Sequence, residues 1–76
     1  MEIMIDYEGH HIGAFVRKNV ETQRWETLIQ VVWEDFSDSH AEWFNSPETY
    51  ETEEEAMREG VLVGRGWIRA GKPSLN

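Results

Sequence analysis

The chain has 76 residues and therefore forms one small domain, which buries only about 60% of the surface that its unfolded chain exposes. It has no cysteine, which excludes disulfides and zinc–thiolate sites, and nothing in its composition indicates a cofactor. The formal net charge of −8 disfavours nucleic acids and anionic membranes as partners, because both present negative charge. No apolar run is long enough to span a bilayer and no segment resembles a secretory signal, so we expect a cytoplasmic protein.

The first part of the chain predicts four β-strands. Apolar and polar side chains alternate in Glu2–Tyr7, and β-branched and aromatic residues dominate Trp25–Asp35, as is typical of strands. Two further segments with strand character are Ile12–Lys18 and His40–Asn45. Gly9 lies between the first two strands, where it can adopt the positive φ of a tight turn.

The second part predicts one amphipathic helix, from about Glu53 to about Arg69. Thr52 and Glu55 form a capping box, in which each side chain accepts a hydrogen bond from the backbone N–H of the other. Gly71 ends the helix. Apolar and small residues follow at three- and four-residue spacing, as on a helix that packs on a sheet: Ala56, Met57, Gly60, Val61, Val63, Gly64, Trp67 and Ile68.

The order of elements is β-β-β-β-α. It favours an α+β fold, in which an antiparallel meander of three to four strands packs one C-terminal helix on one face. We predict a single domain over residues 1–71 and a frayed C-terminal tail over residues 72–76.

Several glycines lie close together between Gly60 and Gly71. A dinucleotide-binding loop requires a third glycine where this chain has Arg69, and it precedes a helix rather than lying late in one. We therefore interpret Gly60 and Gly64 as structural, since they allow the helix backbone to approach the sheet closely. Trp67 and Ile68 are predicted to anchor the same contact.

Four residues form one stripe on the outer face of the predicted helix, which we call the arginine stripe: Arg58, Leu62, Arg65 and Arg69. Glu54 lies one turn before Arg58 and can pair with it, whereas Arg65 and Arg69 have no acid one turn earlier. Either the stripe is a solvated face, or it is a docking surface for an acidic partner or a second copy of the chain. The sequence leaves both interpretations open.

Neither a metal site nor a catalytic site is predicted. His10 and His11 are adjacent on a strand and point to opposite faces, so they do not readily bind one ion. His40 follows Ser39 and Asp38, but a catalytic triad is defined by geometry and not by closeness in sequence. We therefore expect no enzymatic activity.

The second face of the sheet is expected to be partly apolar. Leu28 and Val32 point away from Ile29 and Val31 on the same strand, yet both sets are apolar. Because exposed apolar patches often mark association surfaces, we predict a possible homodimer through this face or through a sheet edge.

Short motifs along most of the chain resemble a family of small uncharacterised bacterial proteins, a domain-of-unknown-function group. The motifs are Tyr7, Gly9 and Ile12, then Trp25, then Thr52, Glu54, Glu55 and Ala56, and finally Gly64, Arg65, Gly66, Trp67 and Ile68. The resemblance implies a sheet-plus-helix fold, no established activity and no catalytic residues. We expect a non-catalytic protein–protein interaction or regulatory module with an unknown protein partner. The alternatives are a nucleic-acid-binding module that uses the arginine stripe and a small-molecule binder between helix and sheet.

Overall fold

The computed structural model describes residues 1–73 and contains one antiparallel sheet and one helix. The sheet order is β1-β2-β3-β4, and the helix packs across one face, so the predicted α+β meander is confirmed. The elements are β1 (Glu2–Tyr7), β2 (His10–Asn19), β3 (Arg24–Asp35), β4 (Asp38–Asn45) and α1 (Glu53–Arg69).

Tight turns set the strand register. Glu8 and Gly9 both have positive φ, 46° and 78°. A two-residue hairpin turn needs such angles if its twist is to match that of the two strands. Backbone pairing then continues to the turn whatever the side chains are, so β2 begins at His10, two residues before the predicted start. For the same reason β4 begins at Asp38, immediately after a turn in which Phe36 has a φ of 55°.

Local signals set both ends of α1. The Thr52 hydroxyl accepts from the Glu55 N–H at 3.1 Å, whereas the Glu55 carboxylate accepts from the N–H of Glu51, one residue before the donor that the capping box predicts. Ala70 caps the C-terminus, and Gly71 follows with a φ of 89°. Among the described residues, no helix has the length and apolar character needed to cross a membrane.

The core lies between α1 and the two central strands. The residues buried beneath the helix are Ile12, Ala14 and Val16 of β2 and Thr27, Ile29 and Val31 of β3. The buried residues of α1 recur every four positions: Ala56, Gly60, Gly64 and Ile68. This spacing forms one straight ridge of small residues that ends in a large one, so the helix backbone lies against the sheet over most of its length.

Gly60 and Gly64 lie where the helix touches the sheet most closely. A Cβ atom at Gly60 would be 2.5 Å from Cγ2 of Thr27, and one at Gly64 would be 2.8 Å from Cγ2 of Ile12. The buried Thr27 hydroxyl also donates to the Ala56 carbonyl at 2.9 Å, which satisfies its hydrogen-bonding group in the apolar contact. The two glycines therefore have the close-approach geometry that the sequence suggested.

The residues after the helix pack on the domain. The Lys72 ammonium lies 4.4 Å from the ring centroid of Trp33, and the Trp67 indole N–H donates to the Pro73 carbonyl at 3.2 Å. The folded domain therefore extends to Pro73, and the rest of the predicted tail, residues 74–76, lies outside the described residues.

Alanine at the helix glycines tests the close contact. Overpacking typically costs about 1–3 kcal/mol, which exceeds the roughly 1 kcal/mol of helix propensity that alanine gains over glycine. Gly60→Ala and Gly64→Ala should therefore lower the free energy of unfolding in urea. Gly66→Ala is the matched control, since the added Cβ would meet no atom within 4 Å beyond the adjoining helix backbone, and it should raise stability. Equal stabilisation by all three changes would contradict the close contact.

Candidate interaction surfaces

On the face of the sheet that carries the helix, α1 leaves the β1 edge largely uncovered. A helix is about 10 Å wide and neighbouring strands are about 4.8 Å apart, so α1 covers about two strands, and it packs mainly on β2 and β3. The space above β1 is a groove of about 430 Å³, which we call the β1–α1 groove. Its apolar lining is Met1, then Ile3 and Ile5 from β1, and Met57, Val61 and Leu62 from α1.

The structure brings three of the four arginine-stripe residues to the rim of this groove. Arg58, Leu62 and Arg65 line it, whereas Arg69 does not, and all four side chains are exposed. The Arg65 guanidinium lies 5.4 Å from the ring centroid of Tyr7 on β1, a cation–π contact that the sequence did not indicate. Among residues 1–73, the stripe arginines form no ion pair with an acidic side chain.

Arg58 and Glu54 both line the β1–α1 groove. They are one helical turn apart, but among the ion pairs of residues 1–73 there is none between them, although their spacing allows one. The groove therefore has an apolar floor with two arginines on its helix side, and Glu54 is the one acid in its lining.

The outer edge of β1 has unpaired backbone groups. The Met1 carbonyl accepts from the Val16 N–H at 3.0 Å, and hydrogen-bonded positions alternate along an antiparallel pair. The N–H and C=O groups of Glu2, Met4 and Asp6 therefore point away from β2. Because β1 is an edge strand, no further strand of residues 1–73 pairs with them.

The sheet face opposite the helix is the second apolar surface, here called the open face. Its large apolar residues are Met4, Phe15, Leu28, Val32 and Trp43. Met4 is 55% exposed and Trp43 is 49% exposed, and the rings of Phe15 and Trp43 lie 5.6 Å apart. The face is therefore partly apolar. It also carries four acids, namely Glu2, Asp6, Glu26 and Glu34.

Glu26 is an acid on the open face that accepts hydrogen bonds from two side chains. The Asn19 side-chain N–H donates to it at 3.0 Å, and the Arg17 Nε–H donates at 3.4 Å. The hydrogen bond from Asn19, followed by that from Arg17 and its charge, lowers the pKa of Glu26 below the ordinary value, although partial desolvation opposes this.

The remaining predicted contact residues of α1 lie on two sides of the helix. Ile68 is buried in the core with Ile12. Trp67 is only half-buried and lies toward the other edge of the sheet, where its ring is 5.2 Å from that of Phe44 and 6.0 Å from that of Trp33. Ile68 therefore extends the contact made by the two buried glycines, whereas Trp67 covers the β4 side.

The histidines take part in separate contacts. His10 accepts from the Lys72 ammonium at 3.0 Å through Nε2, which leaves Nδ1 to donate to the Glu8 carbonyl at 2.8 Å. His11 lies on the opposite face, where its Nδ1 bonds to Asp6 at 2.5 Å. In the described part of the chain, no group of three or more potential metal ligands comes together.

No protein-family model matches the chain, and neither a curated protein nor a solved structure has significant similarity to it. The resemblance to small bacterial proteins of unknown function therefore stays a prediction.

Replacing Asn19 tests what holds Glu26 in its charged form. Asn19→Ala removes the amide donor to Glu26 without adding a charge, although it also removes the side-chain oxygen that accepts from Glu21 and Thr22 in the turn. The pKa of Glu26 should rise, as measured by NMR titration of its carboxyl carbon. A pKa that is lowered in the folded state stabilises the fold at pH values above the ordinary pKa. This stabilisation is lost as the pH falls through the lowered pKa, so the variant should lose less stability on acidification than the wild-type chain. An unchanged pKa would contradict the assignment.

Proposed function

We propose that the chain is a non-catalytic protein–protein interaction or regulatory module that binds its partner at the β1–α1 groove. The supporting observation is that an apolar groove lies directly beside an unpaired strand edge. Protein partners use both features, because apolar side chains fill grooves and backbone groups pair with free edges.

The two alternative functions have less support. Nucleic-acid binding through the arginine stripe opposes the net charge of −8, and Arg65 already lies over Tyr7. A small molecule has no space beneath the centre of α1, where Gly60 and Gly64 leave no room for a methyl group, so it would have to lie in the β1–α1 groove and would leave the strand edge beside it unpaired. Salt separates the first alternative from the proposal, since affinity for nucleic acid falls steeply as salt is raised, more steeply than that of a partner whose apolar side chains fill the groove.

Site-specific photo-crosslinking tests the groove as the binding surface. A benzophenone amino acid in place of Leu62, which lines the groove, should give covalent protein adducts in cells that produce the chain. The same group in place of Val20 is the control, because Val20 is 81% exposed but lies beyond β2, outside the groove lining.

Competition distinguishes specific adducts from incidental ones. Excess wild-type chain should abolish the Leu62 adducts, whereas excess Ile5→Glu chain should not, since the acid disrupts the apolar floor of the groove. Adducts that are equally abundant at Val20, or that both competitors remove equally, would contradict binding at the groove.

A homodimer through the open face is the second candidate. Met4, Leu28 and Trp43 favour it, because they are large apolar side chains that remain exposed on one surface. The chain should then sediment as a dimer at high concentration, and Trp43→Asp should shift it to monomer. Phe36→Asp is the control, because Phe36 is fully exposed in the turn between β3 and β4. A wild-type chain that stays monomeric at every concentration would exclude this dimer.

A further inference from the structure

We infer that β1 accepts a fifth, antiparallel strand from its partner, and that apolar and basic residues alternate in this partner segment. The inference rests on the proposed function, since it specifies what occupies the β1–α1 groove and the edge beside it. Three features carry it: the direction of the free backbone groups, the apolar groove on one side of β1 and the acids on the other.

The free backbone groups fix how the segment pairs. The outward N–H and C=O groups belong to Glu2, Met4 and Asp6, whose side chains all lie on the open face. In an antiparallel pair, residues directly opposite each other exchange both hydrogen bonds and have side chains on the same face. The partner residues that hydrogen-bond to β1 therefore also place their side chains on the open face.

The groove determines which partner side chains fit on the helix side of β1. The alternate side chains of an added strand would lie on the helix side, next to Ile3, Ile5 and Leu62. Basic side chains are disfavoured there, since Arg58 and Arg65 stand at the rim. Apolar side chains fit, because they would bury surface that is now exposed to water.

Acids on the open face favour basic partner residues at the positions that hydrogen-bond to β1. Glu2 and Asp6 would lie directly opposite two of them, and opposite charges on facing residues stabilise a strand pair. Asp6 also bonds to His11 through one carboxylate oxygen, which leaves its second oxygen for the partner. The net charge of −8 would attract a basic segment before contact is made.

The same charges disfavour β1 of a second copy. Antiparallel pairing of two β1 strands centred on Met4 would place Glu2 of each copy opposite Asp6 of the other, and like charges on facing residues are destabilising. The free edge of β4 is a poorer site for the partner, because its helix-side residues include the polar His40 and Glu42 beside the apolar Phe44.

Synthetic peptides of about eight residues, a typical strand length, test the pattern. An alternating Lys–Val peptide should bind the isotope-labelled full chain with saturable NMR shifts at the amides of Glu2, Met4 and Asp6. An alternating Glu–Val peptide should bind about tenfold more weakly or worse. Equal binding of both peptides, or shifts centred elsewhere, would overturn the inference.

Backbone methylation separates strand pairing from simple attraction between charges. N-methylation at the lysines removes the N–H groups that would bond to β1 and should abolish binding, although charge and composition are kept. N-methylation at the valines should leave binding intact, because those N–H groups point away from β1. Loss of binding with the methylvaline peptide, or its survival with the methyllysine peptide, would overturn the antiparallel arrangement.

Charge reversal on the protein completes the test. Glu2→Lys/Asp6→Lys should reverse the preference toward the Glu–Val peptide. Glu21→Lys/Glu48→Lys changes the net charge equally at exposed positions outside β1 and should keep the preference for Lys–Val. An equal effect of both double variants would overturn the inference. If no peptide binds while crosslinking at Leu62 succeeds, this inference falls and the proposed function stands; if peptides bind but crosslinking fails, binding to a cellular protein at the groove is contradicted instead.

Discussion

The direct contact between the backbone of α1 and the central strands fixes where everything else lies. Gly60 and Gly64 remove the side chains that would hold the helix away from Thr27 and Ile12, so the helix axis lies above β2 and β3. Each glycine lowers helix propensity by about 1 kcal/mol, and close packing together with the hydrogen bond from Thr27 to Ala56 offsets it. A helix held in this position covers β1 only in part, and Ile3 and Leu62 stay exposed beside the groove.

Much of the fold could be predicted because its signals are local. Thr52 before a run of acids and Gly71 after the last apolar turn mark the ends of α1, and alternation marks the strands. The predicted starts of β2 and β4 lie two residues too late. Pairing with a neighbouring strand extends each strand through polar residues, to His10 in β2 and to Asp38 in β4. The alternation of side chains within one strand does not show how far a neighbouring strand pairs with it.

The candidate site could be predicted only in part, for a related reason. The arginine stripe follows from helical spacing, but its position at a groove depends on which strands the helix covers. Ile3 and Ile5 would alternate with polar residues in the same way whether covered or open. The contact between Arg65 and Tyr7 joins the two ends of the chain, and no local pattern connects them. The apolar residues in both phases of β3 did predict a partly apolar second face, and Leu28 and Val32 lie on the open face.

The meander also makes its strands unequal in how firmly they are held. β2 and β3 have neighbours on both sides and the helix above them, whereas β1 and β4 each have one strand neighbour, and β1 joins β2 through the two-residue turn at Glu8 and Gly9. Segments with few buried contacts open at lower free energy than the core, and their amide hydrogens exchange faster with solvent. The edge strand that offers its backbone groups to a partner is thus also one that can separate from the sheet while the core beneath α1 stays closed.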